Sequence, residues 1–140
     1  MTTDATTADL VAVDGHDQWM ALARDAYRRL ADAFADLDEA DWDRPSPCEG
    51  WMVRDLAGHL VGAMRSAASF REFASQRREI SAVVKRTGAN EVEVMTEVQR
   101  GRAADLDADD VVAELRALVE PAVRGRSRPP RIVRRRIRFP

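Results

Sequence analysis

W-D-R-P-S-P-C-E-G-W-M-V-R-D-L-A-G-H-L-V-G-A-M, residues 42–64, contains a helix stop followed by a helix start. Pro45 and Pro47 flank Ser46, and Gly50 follows Cys48 and Glu49. Prolines two apart remove two backbone donors and fix two φ angles, so no helix runs through this segment. Residues 38–50 therefore read as an ordered loop, closed by Trp42 and Trp51 packing on one another. Beyond it Val53, Leu56, Ala57, Leu60, Met64, Ala67 and Ala68 recur at helical spacings and mark an amphipathic stripe. Lys85 and Arg86 suit the negative end of a helix dipole, and Gly88 suits the position just past it. The spacing predicts one long helix over residues 53–87, with a bend or break near 75–78 where the periodicity weakens.

On the N-terminal side, Trp19, Leu22, Ala23, Ala26, Tyr27, Leu30, Ala33, Phe34 and Leu37 form a second stripe, with charged residues between them. This predicts a helix over 16–37, capped by Asp14 or Gly15. On the C-terminal side, Asn90 followed by Glu93 resembles a capping box. It opens a helix with Val92, Met95 and Val98 on its face and Gly101 near its end. Asp107 followed by Asp110 opens another, with Val111, Val112, Leu115, Leu118 and Val119 as its stripe and Pro121 near its end. Four amphipathic helices without a convincing strand predict an all-α bundle.

The chain of 140 residues suits one domain, with enough apolar residues for one core. No apolar run approaches the ~20 residues of a membrane span. Residues 1–13 lack the basic start and apolar stretch of a secretory signal and read as a flexible leader, so the cytoplasm is the expected location. Cys48 is the one cysteine, which excludes an internal disulfide, and His16 and His59 are the two histidines. Charge is divided. Residues 121–140 hold eight of the 22 bases and no acid, leaving 14 bases against 24 acids in the first 120, a net of −10.

Residues 42–64 also carry the functional signal. A tryptophan, the P-S-P-C turn, G-W-x-V-x-D, and a His-Leu pair four residues past that aspartate together resemble the mycothiol-dependent maleylpyruvate isomerase branch of the DinB-like family. The resemblance implies a DinB-like up-and-down four-helix bundle over 14–123, followed by an Arg-rich connector or tail over 124–140. It implies a divalent metal, usually zinc, with His59 as one ligand. It further implies mycothiol bound as a thiolate at an open metal position, and an electrophilic small-molecule substrate. In the isomerase the thiolate adds to maleylpyruvate, allows bond rotation and leaves.

This sequence departs from that pattern in two places. No histidine follows His59, and Asp110, Glu114 and Glu120 lie in neither an H-x-x-x-D nor an E-x-x-x-H setting. Catalytic zinc normally takes three protein ligands, so the bundle is expected to be incomplete at its C-terminus and the metal site only begun. Met52 stands where relatives often carry threonine, a lost hydroxyl cap worth about 1 kcal/mol.

Each candidate also has a plainer reading. On a helical wheel His59 lies off the Val53–Leu60–Met64 stripe, beside Met52, Ala63 and Phe70, so periodicity alone does not bury it. His16 reads as solvated. Cys48 reads as a packing residue rather than a reactive thiol. Gly58 and Gly62, one turn apart, read as a site of close helix packing rather than room for a ligand. The basic tail lacks interleaved aromatics apart from Phe139, and the acidic body repels phosphate, which disfavours nucleic-acid binding. The alternative to a thiol-dependent isomerase or transferase is a non-catalytic or degenerate helical module that associates through its unfinished face.

Overall fold

A computed structural model describes residues 15–127. Five helices follow in order: α1 (His16–Ala35), α2 (Val53–Ala68), α3 (Phe70–Thr87), α4 (Glu91–Gly101) and α5 (Ala108–Ser127), with a short 3-10 turn at Asp41–Asp43. Among the described residues there is no strand, only an isolated bridge between Pro45 and Met52. The all-α helical bundle stands as expected. The leader over 1–13 and most of the proposed tail, residues 128–140, lie outside the described residues.

Helix α2 is the central element and packs against α3, α4 and α5, while α1 packs along α5. The core joins Ala31 and Phe34 of α1, Ala57, Val61 and Met64 of α2, and Val111, Leu115, Val119 and Ala122 of α5. Of the stripe read from the sequence, Ala57 and Met64 are buried and Val53, Leu56, Leu60, Ala67 and Ala68 pack partly buried against the core, while Val61, outside that stripe, is fully buried. Burying such side chains stabilises by about 1.5–3 kcal/mol for each large one, which orders α2 between its neighbours.

The single helix expected over 53–87 is two helices, so the count is five rather than four. The break falls at Ser69, not near 75–78, which lies inside α3. Ser69 is extended (φ −134°, ψ 121°), and its N–H still donates to Arg65 O while its hydroxyl accepts from Glu72 N at 3.3 Å. One residue therefore closes α2 and opens α3. Ser-x-x-Glu is the sequence signature of such a start.

Two further expectations are corrected. Pro121 lies inside α5, which continues to Ser127. Proline removes one helical hydrogen bond, but Ala122 and Val123 immediately after it are 0% and 2% exposed, and their burial holds the last turns in place. The two indoles also part company. Trp42 packs on Phe34, with ring centroids 5.7 Å apart, and Trp51 meets His59 instead. Backbone bonds close the loop, from Ser46 N to Trp51 O at 2.8 Å and from Val53 N to Arg44 O at 2.9 Å.

The predicted caps at Asn90 and Asp107 are present. Asn90 Oδ1 accepts from Val92 N at 2.8 Å, and Asp107 Oδ1 accepts from Asp110 N at 2.8 Å. Gly58 and Gly62 serve close packing, as read. A Cβ on Gly62 would lie 2.1 Å from Gln99 O, so α2 and α4 touch backbone to backbone there.

Candidate functional site

His59 lies on α2, half-buried, on the side that meets α4. The ring of Trp51, the last loop residue but one before α2, stands edge-on to the imidazole, centroids 5.6 Å apart and planes at 69°. Nδ1 of His59 is buried and meets no hydrogen-bond partner of good geometry. Burial lowers the pKa of the ring below its ordinary value, and the nearby Thr96 backbone opposes this more weakly. At neutral pH the imidazole is therefore neutral, the state in which it can act as a ligand or an acceptor. A buried nitrogen without a partner costs free energy, and such groups in folded proteins ask for an explanation.

The surroundings of His59 are held by a chain of contacts between α2 and α4. Arg100 lies over Trp51, 5.8 Å from the ring centroid, and donates to Asp55 Oδ1 at 3.0 Å. Asp55 also accepts from Met52 N at 2.9 Å, which caps α2 from inside its first turn. That backbone bond first, and the Arg100 guanidinium as well, hold the Asp55 carboxyl below the usual carboxylate range against the opposing effect of burial. Met52 contributes no hydroxyl, as expected, so Asp55 carries the cap.

The carboxylates considered as later ligands do not come to His59. Glu114 pairs with Arg65 across α5 and α2, Nη2 to Oε2 at 2.6 Å, and Glu120 pairs with Arg24 and Arg28 of α1 at 2.8 and 3.0 Å. Asp110 is exposed at the start of α5. Among the described residues no group of three or more His, Cys, Asp or Glu side chains could hold a metal ion. One imidazole with an open nitrogen fits a single donor position, and residues 15–127 alone do not fit a complete metal site.

His16 is exposed at the start of α1, as read. Cys48 is exposed and free, not packed: its turn points it outward, with Cys48 N donating to Ser46 Oγ at 3.1 Å. A cleft of about 1140 Å³ opens between Phe34, Trp42, Asp55, Gly58, Arg100 and Val111, and His59 does not line it. Arg100 and Thr96 were not found by sequence reasoning. Nothing local marks a residue some forty positions away as a neighbour of Asp55 or His59.

The described residues form an all-helical bundle, with the half-buried His59 midway along its second helix. The family described as mycothiol maleylpyruvate isomerase N-terminal domain matches residues 23–134. The chain belongs to that family. No match was found among curated proteins or among solved structures.

Proposed function

We propose that this chain acts as the metal-binding helical domain of a mycothiol-dependent isomerase or thiol transferase, with His59 supplying one donor to a divalent metal, zinc by resemblance. The observation that carries this reading is the buried Nδ1 of His59, at the His-Leu position, which has no well-aligned hydrogen-bond partner. The remaining donors would come from outside residues 15–127 or from another chain. The thiol of mycothiol and an electrophilic small molecule are the partners this chemistry requires. No described helix is long and apolar enough to cross a membrane, and the cytoplasm, where such a thiol is kept reduced, is the location that suits the reading.

The test is metal content after zinc or cobalt loading of the purified chain and of His59→Ala. The reading expects metal in the parent chain and its loss in the variant. Equal, substoichiometric metal in both would remove it.

A second reading is a non-catalytic helical module. It is favoured by the arginine partners of Glu114 and Glu120, which occupy the acids a metal would need. It expects no metal in either protein, and self-association that rises with concentration in sedimentation. A monomer at all concentrations would count against it.

A further inference from the structure

Helix α3 turns Gln76 and Ile80 into the bundle, and its opposite side is exposed to solvent. The helix carries five bases, Arg71, Arg77, Arg78, Lys85 and Arg86, and two acids, Glu72 and Glu79. Both acids are held from the bundle side by Arg102, at 3.0 and 2.8 Å, and Arg77 is paired with Glu91. Among the described residues, Arg71, Arg78, Lys85 and Arg86 meet no carboxylate. Of the acids on α2 and α4, which pack against α3, Asp55 and Glu97 are held by Arg100 and Glu91 by Arg77, so only Glu93 is left. Four free bases therefore stand against one free acid.

Three of these bases share a row. Arg71, Arg78 and Lys85 are seven residues apart, almost two full turns, so they project to one side at intervals of about 10 Å. Between them on this side lie Ala74, Ser81 and Ala82, which are small and leave the long basic side chains standing clear of the helix. Beside the row, in the first turn, Phe70 is 68% exposed and Phe73 42% exposed. Their rings lie together, centroids 6.3 Å apart, and form one apolar wedge. Exposed phenyls beside unpaired bases are the combination that lets a surface both attract anionic headgroups and enter the layer beneath them.

We propose that the outer side of α3 is a contact surface for an anionic lipid bilayer, with Phe70 and Phe73 inserted at the headgroup boundary and Arg71, Arg78 and Lys85 against the phosphates. The two phenyls sit at one end of the row rather than between its bases, so they form a wedge and not a ladder on which nucleic-acid bases stack. Residues 15–127 hold 16 bases and 21 acids, a net of −5. The acidic remainder is repelled by the same bilayer, which turns this side and no other towards it. The proposal does not depend on His59 or on metal.

The test is co-sedimentation of the full chain, at low salt, with vesicles of phosphatidylcholine alone and of equimolar phosphatidylcholine and phosphatidylglycerol. Binding is expected to the anionic vesicles only. Arg71→Glu with Arg78→Glu should weaken it roughly tenfold or more, and Phe70→Ser with Phe73→Ser should also weaken it several-fold. All four residues are exposed, and circular dichroism checks that each variant folds. Arg29→Glu with Arg44→Glu makes the same change in net charge at exposed sites on other elements, and should weaken binding less than threefold. No binding by the parent chain would overturn the proposal. So would equal losses in the two charge variants, or binding that neither α3 variant alters, which would assign it to other bases. A loss with the arginine pair alone would leave diffuse attraction without insertion, and would overturn it too. Binding of oligo-dT in place of vesicles, lost in the α3 variants, would overturn it in favour of nucleic acid.

Discussion

The seam between α2 and α4 and the outer face of α1 are opposite solutions for an amphipathic helix. At the seam, Gly62 removes its own side chain so that Gln99 O can approach, and Gln99 itself is 8% exposed. On α1 the stripe read from the sequence is wider than the surface available to bury it. Tyr27, Leu30, Ala31 and Phe34 pack on the core, while Trp19 and Leu22 remain in solvent. Helical periodicity reports that a face is apolar, but not which part of it finds a partner. The seam should thus be intolerant of change and the outer face tolerant, and substitutions can break or sharpen that contrast.

The largest effect is expected at Gly62→Ala. The added methyl would sit inside van der Waals distance of a backbone oxygen that cannot rotate away. Overpacking of this kind costs about 1–3 kcal/mol, and the upper end is expected here because the obstacle is main chain. Urea unfolding followed by circular dichroism measures it. A loss below about 0.5 kcal/mol would mean that the helices separate easily and that the seam is not rigid.

Next is Arg65→Ala. Its side chain is 27% exposed, with Glu114 at 25%, and Arg65 also donates to Arg102 O. Removing it strands a half-buried carboxylate and a carbonyl, for an expected loss of about 1–2 kcal/mol. Arg28→Ala, whose side chain is 60% exposed, should cost less than about 1 kcal/mol in the same assay. Equal losses would show that burial does not separate the two pairs.

A smaller effect is expected in the pH dependence of stability. The His59 pKa is lowered in the folded chain, so the unfolded chain takes up its proton first. Its contribution is fully present above the ordinary histidine pKa of about 6.5, and it is lost as pH falls towards the folded value. His59→Gln should flatten the stability curve below that point. An unchanged slope would show that another group governs it. The smallest effect is expected at Trp19→Ser, within about 0.5 kcal/mol in the same assay, because the indole is already more than half exposed.

Much of this was legible in the sequence, and the misses have physical causes. The stripes of α1, α2 and α5, the caps at Asn90 and Asp107, and the packing glycines all follow from local spacing. Ser69-Phe70-Arg71-Glu72 also carried a start signal, but Ala67, Ala68, Phe70 and Phe73 place apolar residues at helical spacing across it, with no proline or glycine to mark a break. Pro121 was read as an end because the sequence shows the lost donor and not the burial of Ala122 and Val123. Trp42 and Trp51, close in sequence, face different helices once α2 turns away from the loop. For the site, His59 was legible only through its motif, since its wheel position lies off the core stripe. Trp51, Thr96 and Arg100 come to it through tertiary packing, and Arg100 pairs with Asp55 across 45 positions.

Helix α3 contributes little to the core. Its buried residues are Gln76 and Ile80. Gln76 donates to Gly62 O at 3.0 Å, and Arg102, just past α4, holds Glu79 at 2.8 Å and lies 3.0 Å from Glu72, the latter an ion pair rather than a well-aligned hydrogen bond. A helix attached mainly by polar contacts detaches at lower free energy than one attached by apolar area. Amide protons of α3 should therefore exchange through a partial opening, while those of α2 wait for global unfolding. The bundle is then two cooperative units of unequal stability, and the break at Ser69 is the joint that lets the weaker unit open without the stronger.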